Sequence, residues 1–354
     1  MKTLDLYLMR SIFVASLLVA MILIGISAFM SLLTELDNVG GSYGTLQAIE
    51  FVMLKLPESL YALLPTIMLI GTLMGLGALA AGSELTVMRA SGMSLLQLAA
   101  TAAQAGVLVG ALAYVLGDYV VPPAFNVAHN MRAEARFGEA PPTGGPGGVW
   151  LREANRYIHI GRIYSQDRVG EVSIYAFDAQ HRITGTLAAE SGSYDGRRWQ
   201  LQMVRMSTLE NQKITTAFYP KMDWPVTIDP GLLRLSVVRP ETLSSMGLMD
   251  YARYLDKNGL DASTYWAWFW RKLAAPLTVI VMTLVAVPFV LGSQRTGGAG
   301  QRLFLGIMLG VGFYLLNEIV QNSGQVYGLP PWLTATLPTM IAGGVAIGWL
   351  QRTR

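Results

Sequence analysis

The sequence predicts an α-helical integral membrane protein of six transmembrane helices, with a β domain inserted between the third and the fourth. Three observations carry this. Of 354 residues, 52% are hydrophobic and only 14% charged, too apolar a mixture for a soluble chain of this length. The apolar residues gather into six long runs, three on each side of a polar block. That block, residues 118–262, holds 16 Lys and Arg against 16 Asp and Glu, and no run in it is long enough to span. The net charge of +3 therefore belongs to the membrane part, a distribution that argues against nucleic-acid binding.

The elements follow in chain order. Residues 12–33 run without a charge for long enough to cross a bilayer. No small-residue cleavage site follows, so this is a retained first span and not a signal peptide. A polar loop is expected over 35–58, then a second span over 59–81, where Pro65 can kink the helix. Gly71 and Gly75 lie four apart in it, so another helix can approach closely there. Residues 82–94, GSELTVMRASGMS, are polar. Ser83 can cap a short helix over 84–91 and Gly92 can close it in the left-handed conformation. Glu84 falls in its first turn, while Leu85 and Met88 share a face away from Arg89. Such a helix can be a plain connector, or it can transmit force or bind a partner. The third span is 95–117, which completes a first transmembrane half over 1–121.

Residues 122–262 read as the β domain. A Pro/Gly loop, APPTGGPGG, occupies 140–148. Residues 157–163, 172–177, 199–206 and 214–219 carry β-branched and aromatic residues in alternation with polar ones. Asp195-Gly196 is a hairpin pair between Tyr194 and Trp199. Short strands at this spacing suggest a β-sandwich or jelly roll. The period returns to helical over 248–257 and ends at Asn258-Gly259. The second transmembrane half, 263–354, opens on an aromatic belt that includes Tyr265, Trp266, Trp268, Phe269 and Trp270. Spans follow over 273–292, 303–323 and 332–350.

Loop charge sets the orientation. The N-terminus, 82–94, 293–302 and the C-terminus hold Lys2, Arg10, Arg89, Arg295, Arg302, Arg352 and Arg354, against Lys55 alone in the opposite short loops. Both termini and the short helix are therefore expected in the cytoplasm, and the β domain outside.

Much chemistry is excluded. There is no cysteine, hence no disulfide, thiolate metal site or cysteine nucleophile. His129, His159 and His181 lack ligand-like spacing. No lysine follows a glycine, so there is no G-x-x-x-x-G-K-[ST] phosphate loop; any ATP is bound by another chain. What remains is a set of charged candidates. Arg132 and Arg136, one helical turn apart, can grip lipid phosphates or can pair with Glu134 or Glu139. Arg271 and Lys272 stand at the outer end of the fourth span, to snorkel or to meet an anionic substrate. Glu318 lies inside the fifth span beside Asn317, either lining a polar path or solvated near the interface.

With these parts in this order, and with SELTVMRASG at 83–92, VSIYAF at 172–177 and VYGLPP at 326–331, the chain resembles the lipopolysaccharide-export permease family over essentially its whole length. SELTVMRASG resembles the G-type of that family's two paralogous subunits. The resemblance implies a heterodimer with an F-type permease and two copies of a cytoplasmic ATPase, with ATP and magnesium bound there and no cofactor on this chain. It also implies a single-span partner, a periplasmic bridge that the jelly roll joins, and lipopolysaccharide as substrate. It makes 84–91 the coupling helix, with Glu84 at the ATPase groove, Leu85 and Met88 beside it and Arg89 in support. Family members often carry lysine at the outer end of the first span; here Thr34, Glu35, Leu36 and Asp37 stand there. Arg132, Arg136, Arg271, Lys272 and Glu318 remain as lipid-contact candidates. The competing readings are a permease of another lipid or lipoprotein exporter, and a membrane scaffold that transports nothing.

Overall fold

The computed structural model describes residues 2–40, 43–137, 149–153, 155–165, 168–178, 180, 182–196, 198–210, 213–224, 240, 243–292 and 299–352. In chain order the helices are α1 (Lys2–Leu36), α2 (Thr45–Ala81), α3 (Glu84–Ala90), α4 (Leu95–Val115) and α5 (Val121–Phe137). After the strands come α6 (Ser245–Lys257), α7 (Ser263–Gly292), α8 (Ala299–Tyr327) and α9 (Pro331–Arg352). The chain forms two compact units, one of Met1–Arg132 with Trp266–Arg354, the other of Ala133–Tyr265.

In the first unit six helices are long and apolar enough to cross a membrane, as the apolar runs predict. They are longer than those runs. Hydropathy marks the stretch that meets lipid, whereas backbone hydrogen bonding carries a helix on through polar residues at either end. So α2 begins at Thr45 and takes in most of the expected loop over 35–58, with Pro57 and Pro65 both inside it. The expected close approach on α2 is met. A Cβ at Gly71 would collide with Ser16 of α1, and one at Gly75 would lie 2.7 Å from the Ser11 carbonyl oxygen. The Ser11 hydroxyl donates to the Gly75 carbonyl at 3.1 Å. One apolar core joins Leu8 and Ile12 of α1, Leu69, Leu73 and Leu76 of α2, Leu98 of α4 and Val279 and Val287 of α7.

The third span also outruns its expected end at 117. It continues through a π turn, Leu116–Val120, into α5. Pro122 and Pro123 cause this, because neither has an N–H to give the preceding turn. The Val121 amide donates to Leu116, which is the π register. In that register the Gly117 carbonyl would face the nitrogen of Pro122, which has no proton. Lys272 of α7 fills the gap: its Nζ donates to the Gly117 carbonyl at 2.8 Å.

The second unit holds an antiparallel sheet of six described strands, β1 (Val149–Glu153), β2 (Arg156–Ser165), β3 (Arg168–Phe177), β4 (Ile183–Tyr194), β5 (Trp199–Glu210) and β6 (Lys213–Trp224). They pair in sequential order as a meander, and no Greek-key crossover occurs among the described strands. The four strand runs read from alternation fall within β2, β3, β5 and β6. β1 and β4 were not visible in that pattern; β4 (ITGTLAAESGSY) is small and polar and takes its place from its neighbours. The Asp195-Gly196 hairpin is as expected, with Gly196 at φ +92° and the Arg198 amide donating to the Asp195 carboxylate at 2.7 Å. One face buries Ile158, Ile160, Val172, Trp199, Leu201 and Val204. Helix α6 is capped by Ser244, whose hydroxyl accepts from the Gly247 amide. The loop at 140–148 lies outside the described residues.

Candidate functional site

Helix α3 is seven residues long and joins α2 to α4. Its C-terminal closure is the expected one: Gly92 has φ +101°, and the Met93 amide donates to the Met88 carbonyl at 3.1 Å. Its start differs. Ser83 does not cap through its side chain; it is itself left-handed, at φ +61°, and makes no cap bond. The turn out of α2 is too tight for a capping serine's extended backbone. Glu84 takes a different partner, accepting from the Tyr7 hydroxyl of α1 at 2.8 Å.

Leu85 and Met88 do share a face, and it is buried. They belong to the core that contains Leu8, Ile12, Leu76 and Leu79. They anchor α3 to the spans and leave the other side of the helix exposed. The exposed side presents Glu84, Val87 and Arg89. Sequence reasoning missed Val87 and Tyr7. An exposed apolar residue on a polar helix was a usable signal for Val87, whereas nothing local ties Tyr7 to a residue 77 positions away.

The charged candidates lie at the other end of the helices, and the structure sorts them. Arg132 Nε reaches Glu35 of α1 at 3.0 Å; the side chains of Glu134 and Glu139 lie outside the described residues. The same Glu35 oxygen accepts from the Tyr43 hydroxyl at 2.9 Å. The guanidinium lies 5.0 Å from the ring of Phe51, and His129 stacks on Phe125 at 3.9 Å beside it. Glu35, at the end of the first span, is thus the counter-charge of Arg132. The Arg136 side chain lies outside the described residues.

Arg271 and Glu318, put forward separately from sequence, are brought together. The guanidinium Nη2 lies 3.2 Å from Glu318 Oε2 and the group sits 4.7 Å from the Trp268 ring. Lys272, its neighbour, turns inward and is buried against the Gly117 carbonyl, with the Asp118 carboxylate in electrostatic range. It holds a broken helix turn together and is not placed to meet a headgroup.

The spans differ in how far they are covered. Within their most apolar windows 67% of α2 is buried, against 17% of α1 and 11% of α8. Helices α1 and α8 both pack on α2 and turn apolar faces outward, Val14, Leu18, Ile22 and Phe29 on one, Phe304, Met308, Leu315 and Ile319 on the other.

The profile of the lipopolysaccharide export system permease LptF/LptG family matches residues 6–352. The chain belongs to this family. It is 33% identical over 340 residues to the lipopolysaccharide export system permease protein LptG of Escherichia coli K12, covering 95% of this chain and 94% of that protein. It is 32% identical over 352 residues to LptG of Haemophilus influenzae Rd, covering 99% and 98%. Both relatives are of the G type, as SELTVMRASG suggests. The chain is a multi-pass membrane permease.

Proposed function

We propose that this chain is the G-type permease subunit of a transporter that extracts lipopolysaccharide from the inner membrane and drives it along a periplasmic bridge to the outer membrane. The observation that carries this is the pair of uncovered apolar spans, α1 and α8, on either side of the buried α2. Two such faces suit a second, F-type permease, with a cavity between the subunits walled by α1, α2 and α8. Apolar walls take acyl chains, and Arg271 with its neighbours takes phosphate. The lysines and arginines of the short loops support cytoplasmic termini and a periplasmic sheet. A single-span partner joins the complex in the membrane.

The chain carries no phosphate loop, so ATP and magnesium are held on two copies of a separate cytoplasmic ATPase. The ATPase docks on the exposed Glu84–Val87–Arg89 side of α3. Force applied there reaches the spans by two routes, the packing of Leu85 and Met88 in the core of α1 and α2, and the Tyr7–Glu84 hydrogen bond to α1. Closure of the ATPase moves α1 and α2 together and narrows the cavity, which expels lipid outward.

Glu84→Ala tests this. The variant should remain in the membrane, since Glu84 is exposed, but lose lipid release from reconstituted vesicles by about tenfold, the loss of one charged hydrogen-bonded contact. Tyr7→Phe removes the internal partner alone and should cost less. Wild-type ATPase association together with wild-type lipid release in Glu84→Ala would overturn the docking assignment. Lipopolysaccharide crosslinking from α1 and α8 separates transport from a scaffold role, which predicts none.

A further inference from the structure

Of the two described ion pairs in the membrane unit, Arg271–Glu318 is built to exchange. Its side chains are 35% and 38% exposed. One face of the guanidinium lies over Trp268. Beside it Trp268, Arg271, Gln321 and Thr334 line a hollow of about 20 Å³. That is room for roughly one water. A phosphate that takes the Nη2 donor of Arg271 competes with the Glu318 carboxylate for it, and two anions side by side on one arginine would repel.

We propose that Glu318 is a resident counter-ion, standing in for a lipid phosphate on Arg271 and leaving when a phosphorylated lipid headgroup arrives. This rests on the reading of the chain as a lipopolysaccharide permease. With Arg271 partly exposed, Glu318 keeps the site neutral while it is empty, at a small energetic stake. A half-exposed pair with one bond is weak enough to be traded for a doubly charged phosphate. The exchange also has a mechanical consequence. Glu318 belongs to α8, the least covered span, and Arg271 to α7, so lipid arrival undoes a polar tether between them. The other basic groups do not fill this role. Lys272 is spent on the Gly117 carbonyl, and Arg132 is held by a Glu35 side chain only 6% exposed.

The test uses the full chain purified with its co-purifying partners in vesicles. Binding is measured for lipopolysaccharide, for the same lipid with its phosphates removed, and for inorganic phosphate. Glu318→Gln removes the competitor, so it should bind the phosphorylated lipid about five- to tenfold more tightly than wild type, the gain expected if the pair hides Arg271 most of the time. The gain should vanish with the dephosphorylated lipid and in the Arg271→Gln/Glu318→Gln double variant. Equal or weaker binding by Glu318→Gln would overturn the proposal, because a residue that merely touches lipid predicts that result. Effective displacement of the lipid by millimolar inorganic phosphate would assign the site to the free anion and overturn the lipid assignment. Failure of wild type to bind any of these lipids would instead sink the permease reading itself.

A second measurement stands if Glu318→Gln does not fold. The chain has no cysteine of its own. Spin labels at the exposed positions Leu277→Cys on α7 and Leu315→Cys on α8 report the separation of the two helices in otherwise native protein. Phosphorylated lipid should lengthen or broaden that distance and dephosphorylated lipid should not. An unchanged distance on lipid binding would overturn the tether.

Discussion

Arg132–Glu35 and Arg271–Glu318 each join an arginine to a glutamate from another helix, at 3.0 and 3.2 Å. Their surroundings differ. The Glu35 side chain is 6% exposed, and one of its oxygens takes both the Arg132 Nε and the Tyr43 hydroxyl. Phe51 covers the guanidinium from α2. The pair thus ties the end of α1, the start of α2 and α5 together. Glu318, by contrast, is more than one-third exposed and has Arg271 as its described partner. The lesson is that distance does not tell a structural ion pair from an exchangeable one. Burial and the number of further bonds do, because they set what is left behind when the pair opens.

The largest effect should therefore come from Glu35. Glu35→Ala strands a mostly buried guanidinium and leaves the Tyr43 hydroxyl its longer bond to the Gln47 carbonyl at 3.5 Å, and about 3 kcal/mol of stability should go, read as a lowered thermal midpoint in detergent. Glu318→Ala should cost under about 1 kcal/mol in the same assay, since the freed arginine reaches water. Equal losses would break the comparison. Tyr43→Phe is the sharper cut. It leaves the charges in place and removes one hydrogen bond to a carboxylate, for about 1.5 kcal/mol. A neutral result would show that Arg132 alone satisfies Glu35.

Much of this was legible beforehand and some could not have been. The six spans, the inserted sheet and the Asp195-Gly196 turn follow from local patterns that the chain carries in windows of twenty residues or fewer. The face shared by Leu85 and Met88 was legible too, but not its direction, since helical spacing does not say which side meets the core. Arg271 and Glu318 were each visible as charges near apolar runs, yet their meeting depends on how α7 packs near α8. Glu35 was noticed only as an acid where lysine was expected; its partner lies almost a hundred residues on. The burial of Lys272 needed the π turn, and that turn needed Pro122 to be read together with a carbonyl five residues earlier.

Asp261, just ahead of α7, extends the comparison to a carboxylate in water. It accepts from the Ser263 amide at 2.8 Å, and bonds from the Ser263 hydroxyl and amide hold its pKa below the usual 3.8. The sign follows from linkage. A carboxylate with a depressed folded pKa stabilises above its unfolded pKa, and that contribution is lost as pH falls through the folded value. Asp261→Asn should therefore be slightly less stable than wild type at pH 7, by well under about 1 kcal/mol for so exposed a group. The gap should close below about pH 4 as the wild-type carboxyl takes up its proton. Thermal unfolding of both proteins between pH 3 and 7 reads it. A gap that stays constant over that range would mean that Asp261 acts by the shape of its turn and not by its charge, and the ordering of the three carboxylates by solvent contact would then stop at Glu318.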